Sequence, residues 1–198
     1  MIKSRHYCFA ITAHVDAGKT TLSESILYNT GVIRKAGRVD HKTSYFDSEK
    51  EERERGITIF SKQALFQLGE KDFTLIDTPG HTDFSAETER TLSVIDFAVM
   101  IISAPDGIHG HDLTLWRLLE SYSVPVFVFV NKMDQPGTDA AEVLRKLRER
   151  LGSGFVDLTP AIRYPSSVSE TELTEMYEQI AVLEDELTES FLETGTLK

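Results

Sequence analysis

Five short runs of β-branched and aromatic residues recur along the chain and are typical of strands. They are HYCFAIT, ITIFSKQALFQL, DFTLID, FAVMIIS and VPVFVFVN. The runs at 97–103 and 124–130 are almost wholly apolar. Since a strand with one solvated face alternates in polarity, this pattern predicts strands covered on both faces, as in a parallel sheet.

Amphipathic stretches separate these runs and predict helices. They are TTLSESILYNTG, SAETERTLSVI, HDLTLWRLLESY and DAAEVLRKLRERLG, with a last helical segment from about Glu170 to Leu192. Gly31 and Gly152 follow two of them, where a left-handed residue commonly ends a helix, and Gly69 suggests a hairpin turn. The alternation predicts an α/β fold with a mostly parallel, doubly wound sheet and helices on both faces.

The length of 198 residues suits one domain with a small addition. We place a core at residues 1–152 and an extension with an acidic helix at 153–198. Residues 31–56 are polar, charged and without periodicity, which is more typical of a functional loop than of a structural one.

Charge and hydropathy exclude some classes of partner. A net charge of −11 argues against direct nucleic-acid binding by this segment, because phosphate neutralisation needs a basic face. The sequence shows no apolar run of membrane-spanning length and no signal-peptide pattern, so we expect a cytoplasmic protein. The single cysteine, Cys8, lies in an apolar run and is predicted to be a buried strand residue.

The stretch AHVDAGKTT lies between a predicted strand and a predicted helix, as a phosphate-binding loop does. Backbone amides of residues 16–20 would surround the β-phosphate, and Lys19 would reach the β- and γ-phosphate oxygens. The Thr20 hydroxyl would bind Mg²⁺. Ala13 replaces the first glycine of the pattern, which is tolerable if its φ is negative. Gly18 is the glycine that close approach requires.

Two further motifs follow predicted strands. In DTPGH, the Asp77 carboxylate is positioned to hold Mg²⁺ through water, and the Gly80 amide could sense the γ-phosphate. In NKMD, Asp134 can accept hydrogen bonds from N1–H and the exocyclic amine of guanine, a donor pair that adenine lacks. Asn131 would steady the neighbouring loops, and the Lys132 stem would stack on the purine. The motif therefore favours GTP over ATP.

A fourth motif, RGITI, ends the long irregular loop. Thr58 is suited to bind Mg²⁺ through its hydroxyl and the γ-phosphate through its amide, and so to order the loop when GTP is bound. The expected metal ligands are therefore Thr20, Thr58 and, through water, Asp77. The expected nucleotide-binding residues are Ala13, His14, Val15, Asp16, Ala17, Gly18, Lys19, Thr20, Thr21, Asp77, Thr78, Pro79, Gly80, His81, Asn131, Lys132, Met133 and Asp134.

With these motifs, AHVDAGKTT, ERERGITI, DTPGHTDF and VNKMD, the chain resembles the translational GTPases of the elongation factor G branch. TLSESILYNTG, LSVIDFAVMIISAPDG and NKMDQPGTD look most like the tetracycline-resistance ribosomal protection proteins. The resemblance implies a P-loop G domain that uses Mg²⁺ with GTP or GDP and docks on the ribosome, with His81 positioning the attacking water as the catalytic residue. Val15, bulky where an arginine finger would approach, fits activation by the ribosome. The resemblance also implies that the chain lacks the last strand and helix of the family's sheet, and that it lacks the family's fifth nucleotide-binding motif.

Three functional interpretations stay open at this point. The first is a Mg²⁺-dependent GTPase, slow alone and stimulated by the ribosome, and monomeric. The second is a nucleotide-dependent conformational switch without significant turnover. The third, a P-loop ATPase or kinase, conflicts with Asp134.

Overall fold

The computed structural model describes residues 6–34, 62–77, 90–163, 168–183 and 185–194. These residues form two compact units, one within residues 1–139 and one within residues 140–198. Each unit is described separately. The predicted boundary at residue 152 stays a prediction. Residues 35–56 of the predicted loop and residues 85–89 of the predicted helix SAETERTLSVI lie outside the described residues.

The first unit is built on a five-stranded sheet. Its strands are β1 (His6–Ala13), β2 (Lys62–Leu68), β3 (Lys71–Asp77), β4 (Phe97–Ser103) and β5 (Val126–Asn131). Their order across the sheet is β2-β3-β1-β4-β5, and only the β2–β3 pair is antiparallel among these described strands. Gly69 lies in the turn of that hairpin with φ 61°. The predicted mostly parallel sheet is therefore confirmed, with β1 at its centre.

Two helices of this unit, α1 (Lys19–Asn29) and α2 (Gly110–Ser121), follow β1 and β4. On one side of the sheet, Leu27 of α1 joins a buried cluster with Phe9, Ile11 and Leu75. A second buried cluster contains Leu119 of α2 together with Leu92, Ala98 and Val124. Phe9 of β1 is paired with Phe97 of β4, and Ala98 is the next residue of β4. Because successive residues of a strand point to opposite faces, the two clusters lie on opposite faces of the sheet.

The second unit contains four helices among its described residues. They are α3 (Ala140–Leu151), α4 (Thr159–Arg163), α5 (Glu170–Ala181) and α6 (Asp185–Thr194). Arg145 of α3 pairs with Glu142 and Glu149, and the Arg148 guanidinium donates to the Phe155 carbonyl at 2.8 Å. Ser169 caps α5 by accepting from the Glu172 amide, while the Glu172 carboxylate accepts from the Ser169 amide.

The structure changes three points of the sequence interpretation. The helical segment predicted from about Glu170 to Leu192 consists of two helices, and at the break between them Leu183 N–H donates to the Ile180 carbonyl and the Ala181 carbonyl accepts from the Thr188 hydroxyl. These bonds end α5 before α6 begins. The helix at Thr159–Arg163 was not predicted. Cys8 is a strand residue as predicted, but it is only half-buried, and burial followed by the Asp96 charge raises its thiol pKa.

Candidate nucleotide-binding site

The carboxyl ends of β1, β3 and β5 carry the predicted motifs to one edge of the sheet. Ala13 is the last residue of β1, Asp77 of β3 and Asn131 of β5. All three strands run parallel, so their carboxyl ends face the same edge, which is where open α/β sheets bind ligands. The structure therefore brings together three segments that lie far apart in the sequence.

The loop after β1 has a backbone shaped for an anion. Asp16 has φ 63° and Gly18 has φ 105°, and α1 begins at Lys19 immediately afterwards. Alternating handedness of this kind turns successive amides toward one concavity, and the first amides of a helix have no acceptors within it. Ala13 ends a strand, is buried and does not have a positive φ, so the backbone there accommodates its methyl group.

Gly18 is required for a reason that the sequence alone did not reveal. A Cβ built on Gly18 would lie 2.3 Å from the Asn131 side-chain nitrogen. That nitrogen donates to the Ala17 carbonyl at 2.9 Å. The side-chain amide of Asn131, at the start of the NKMD motif, therefore joins the end of β5 directly to the loop after β1.

Lys19 and Asp77 form a buried ion pair. Lys19 Nζ lies 2.7 Å from Asp77 Oδ1, with Lys19 9% and Asp77 0% exposed. Because an unpaired buried charge is very costly, each group offsets part of the cost of burying the other. The lysine predicted to contact phosphate and the carboxylate predicted to act on Mg²⁺ are thus in direct contact at the sheet edge.

Asp106, which the motif analysis did not select, contacts one of the predicted site residues, Lys132. Its carboxylate accepts from the Ser103 hydroxyl and from Lys132 Nζ, the latter at 3.2 Å. The Ser103 bond first, and then the Lys132 bond, hold the pKa of Asp106 below its ordinary value. Lys132, with φ 60°, is therefore bonded to the segment that follows β4. The signal in the sequence was the polar run SAPDG after an apolar strand.

The other predicted site residues are exposed, half-buried or outside the described part of the chain. Val15, Met133 and Asp134 are exposed, and Thr20 on the first turn of α1 is half-buried. Thr58 and the segment from Thr78 to His81, with Pro79 and Gly80, lie outside the described residues. Within the ranges that the structure covers, no cluster of three or more His, Cys, Asp or Glu side chains could hold a metal ion. In the same ranges, the helices are all too short or too polar to cross a membrane.

Comparison with known proteins agrees with this geometry. Residues 4–193 match the family described as "Elongation factor Tu GTP binding domain". The chain is 41% identical over 190 residues to tetracycline resistance protein TetM from transposon Tn916 of Enterococcus faecalis, and this match covers 95% of the chain and 30% of that protein. It is 40% identical over 183 residues to TetO of Streptococcus mutans, covering 92% and 29%.

A crystal structure of a protein from Thermus thermophilus superposes with a TM-score of 0.75 at 26% identity, covering 94% of the chain and 33% of that structure. The chain thus spans about a third or less of the length of these relatives. The expected fold class and the resemblance to tetracycline-resistance proteins are both confirmed. The chain belongs to the family of elongation factor Tu-type GTP-binding domains, the G domains of translational GTPases.

Proposed function

We propose that this chain binds GTP with Mg²⁺ and hydrolyses the β–γ phosphoanhydride bond, as the G domain of a ribosome-associated factor of the ribosomal protection type. The observation that carries the proposal is the hydrogen bond from Asn131 Nδ2 to the Ala17 carbonyl. It joins a motif suited to guanine directly to a loop suited to phosphate.

The phosphate end of the site is proposed at residues 13–20. Amides turned inward by the positive φ values of Asp16 and Gly18, with the amino end of α1, supply hydrogen-bond donors and a favourable dipole. Lys19 supplies a full positive charge. Since its ammonium already contacts Asp77, a phosphate oxygen would join an existing charge network.

The residues also fit a magnesium ion. Mg²⁺ is usually bound by few protein oxygens together with substrate phosphates and water, which suits a site without a carboxylate cluster in the described part of the chain. Thr20 lies one residue after Lys19, and the Lys19 ammonium contacts Asp77. The Thr20 hydroxyl and the Asp77 carboxylate therefore belong to two segments that are in contact with each other. When bound, Mg²⁺ would neutralise charge on the β- and γ-phosphates. Thr58 is proposed to add a hydroxyl.

The base end is proposed at residues 131–134. Asp134 is exposed and therefore accessible to a ligand from solvent, and its carboxylate offers two acceptors for N1–H and the exocyclic amine of guanine. The Asp106 carboxylate holds Lys132 Nζ and so keeps the apolar stem of that lysine in a fixed position for a purine ring.

Hydrolysis is proposed to use His81 to position water and to be slow without the ribosome. Phosphoryl transfer depends mainly on positioning and electrostatics, so a partner that orders the site can supply much of the acceleration. The TetM and TetO relatives are named for tetracycline resistance, and ribosomal protection against that drug is proposed for the parent protein. Such a protein would act in the cytoplasm, as a monomer.

Base selectivity is tested with a fluorescent GDP analogue, displaced by unlabelled GTP, ATP or xanthosine diphosphate. We expect GTP to compete and ATP to fail at equal concentration. Asp134→Asn should weaken GDP binding by about two orders of magnitude or more, because two bonds to a charged acceptor contribute roughly 1.5–3 kcal/mol each. The same variant should gain affinity for xanthosine diphosphate, whose ring carbonyl replaces the guanine amine. Equal competition by ATP would refute guanine selectivity.

Catalysis is tested by phosphate release from GTP by the full-length parent protein, with and without ribosomes and with and without Mg²⁺. We expect ribosomes to accelerate release and chelation of Mg²⁺ to abolish it. His81→Ala should retain GDP affinity while losing the ribosomal stimulation. If phosphate release is negligible and ribosomes do not accelerate it, the protein is instead a conformational switch without catalysis.

A further inference from the structure

Two buried polar atoms face each other beside the phosphate loop. His14 Nδ1 lies 3.9 Å from Asp112 Oδ1, with the histidine side chain 16% and the aspartate side chain 0% exposed. Among the residues that the structure describes, neither atom has a hydrogen-bond partner. His14 follows β1 directly and Asp112 lies in the first turn of α2, so this pair joins the loop to a second helix.

The Asp112 carboxylate is held firmly on its other side. Its Oδ2 accepts from the His109 amide at 2.8 Å, which caps the beginning of α2. The amino end of a helix also favours a negative charge in its first turn. The carboxylate is therefore fixed in place through one oxygen, and the other oxygen is the one facing His14.

The imidazole of His14 is enclosed by this arrangement. The His109 ring lies 4.5 Å from it at an interplanar angle of 33°. A separation of 3.9 Å is longer than a hydrogen bond, but an approach of about 1 Å would bring the His14 Nδ1–H to an ordinary distance from the carboxylate. Such an approach would satisfy both buried atoms at once.

Movement of His14 would be transmitted to the rest of the loop. The His14 carbonyl accepts from the Ala17 amide at 3.3 Å, and the Ala17 carbonyl accepts from Asn131 at 2.9 Å. A continuous path of contacts therefore runs from Asp112 through His14 and Ala17 to Asn131. None of these contacts requires Asp112 to touch a nucleotide.

We propose that Asp112 is a positioning residue of the phosphate loop, whose carboxylate holds the His14 ring and so keeps residues 13–17 in the conformation that receives a nucleotide phosphate. This inference rests on the proposed function, because it requires that loop to bind GTP or GDP. Asp112 acts through His14 and has no direct part in the chemistry.

The test is Asp112→Asn in the full chain. Asparagine can still present an oxygen to the His109 amide, so the cap of α2 is kept, whereas the oxygen facing His14 becomes an amide nitrogen. We expect the dissociation constant for a fluorescent GDP analogue to rise roughly ten-fold, as for other residues coupled in one polar network. The urea midpoint should change little.

Glu172→Gln is the matched control. Glu172 closes the same kind of capping box at the start of α5, by accepting from the Ser169 amide, and it belongs to the second compact unit. This control loses an equivalent helix-terminal charge and should leave GDP binding unchanged. His14→Gln should weaken GDP binding like Asp112→Asn, and the double variant should be no weaker than the worse single one.

A spectroscopic measurement separates positioning from general destabilisation. In the chain without nucleotide, the imidazole ¹⁵N chemical shifts of His14 should move in Asp112→Asn and stay constant in Glu172→Gln. Unchanged His14 shifts, or additive effects of the two loop variants on GDP affinity, would overturn the inference. If the unaltered chain binds GDP but Asp112→Asn binds it equally well, this inference alone fails. Failure of the unaltered chain to bind GDP overturns the proposed function, and the inference with it.

Discussion

Replacing Gly18 by alanine perturbs two features of the phosphate loop at once. The residue has φ 105°, a conformation that costs an L-residue about 1–2 kcal/mol. The new methyl carbon would also lie 2.3 Å from Asn131 Nδ2, so the amide must leave its bond to the Ala17 carbonyl. That bond has a net value of about 1 kcal/mol. We therefore expect Gly18→Ala to lower the free energy of unfolding by about 2–3 kcal/mol.

Gly31→Ala is the control, because it places alanine at a positive φ without a steric clash like that between the new Cβ and Asn131. Gly31 has φ 78°, and an added Cβ would meet no atom of the described residues within 4 Å. Its loss of stability should be about 1–2 kcal/mol. The difference of about 1 kcal/mol between the two variants, or about 2–4 °C in Tm for a chain of this size, measures the Asn131 contact.

The assay pairs urea unfolding with titration of the fluorescent GDP analogue. Gly18→Ala should weaken GDP binding roughly ten-fold or more, since the loop and the NKMD motif are no longer joined, whereas Gly31→Ala should bind normally. Equal stability losses together with equal GDP affinities would refute the proposed role of the Asn131–Ala17 bond.

Two further predictions concern titratable groups. The Arg145 hydrogen bond lowers the pKa of Glu142 from 4.5 to about 2, so this pairing stabilises α3 above pH 4.5 and its contribution is lost as the pH falls toward 2. A ¹³C carboxyl titration should give that low pKa and a higher value in Arg145→Gln, where the bond from Lys146 still lowers the pKa; equal values in both would contradict the pairing. Burial, and then the charge of Asp96, raise the pKa of Cys8, so its thiol should react more slowly with a disulfide reagent in the folded chain than in urea. Asp96→Asn should speed the folded-state reaction, and a rate unaffected by unfolding would exclude protection by burial.

The sequence predicted the strands well because strand burial leaves a strong local pattern. Its prediction that the run at 124–130 is covered on both faces is wrong, since Phe127 is 52% and Phe129 43% exposed in β5. The run FAVMIIS became β4 at the same residues, 97–103, since both of its faces are covered. By contrast, the residues between Ala181 and Asp185 contain neither glycine nor proline. At the end of α5 the Thr188 hydroxyl donates to the Ala181 carbonyl, a contact that apolar periodicity does not encode.

Contacts between residues distant in the sequence were missed in the candidate site as well. The motifs selected the loop after β1, Asp77 and Asn131 because each lies at the end of a recognisable strand, and the structure places these strand ends at one edge of the sheet. Asp106 and Asp112 were missed, since their importance depends on which side chains the sheet order brings beside them. A helix start with His and Asp three positions apart, HGHD, was the available signal for Asp112, and it indicates a cap before it indicates a contact.

The central position of β1 has a consequence for the thermodynamics of ligand capture. β1 is bonded to β3 on one side and β4 on the other, and its last five residues are all buried. Amides in such a strand exchange with solvent only through large-scale opening, so we expect the end of β1, where the proposed phosphate loop starts, to be among the slowest-exchanging parts of the sheet. Conformational entropy at that point is lost when the chain folds, before any ligand arrives. Nucleotide association should therefore carry a small ordering penalty at the phosphate end.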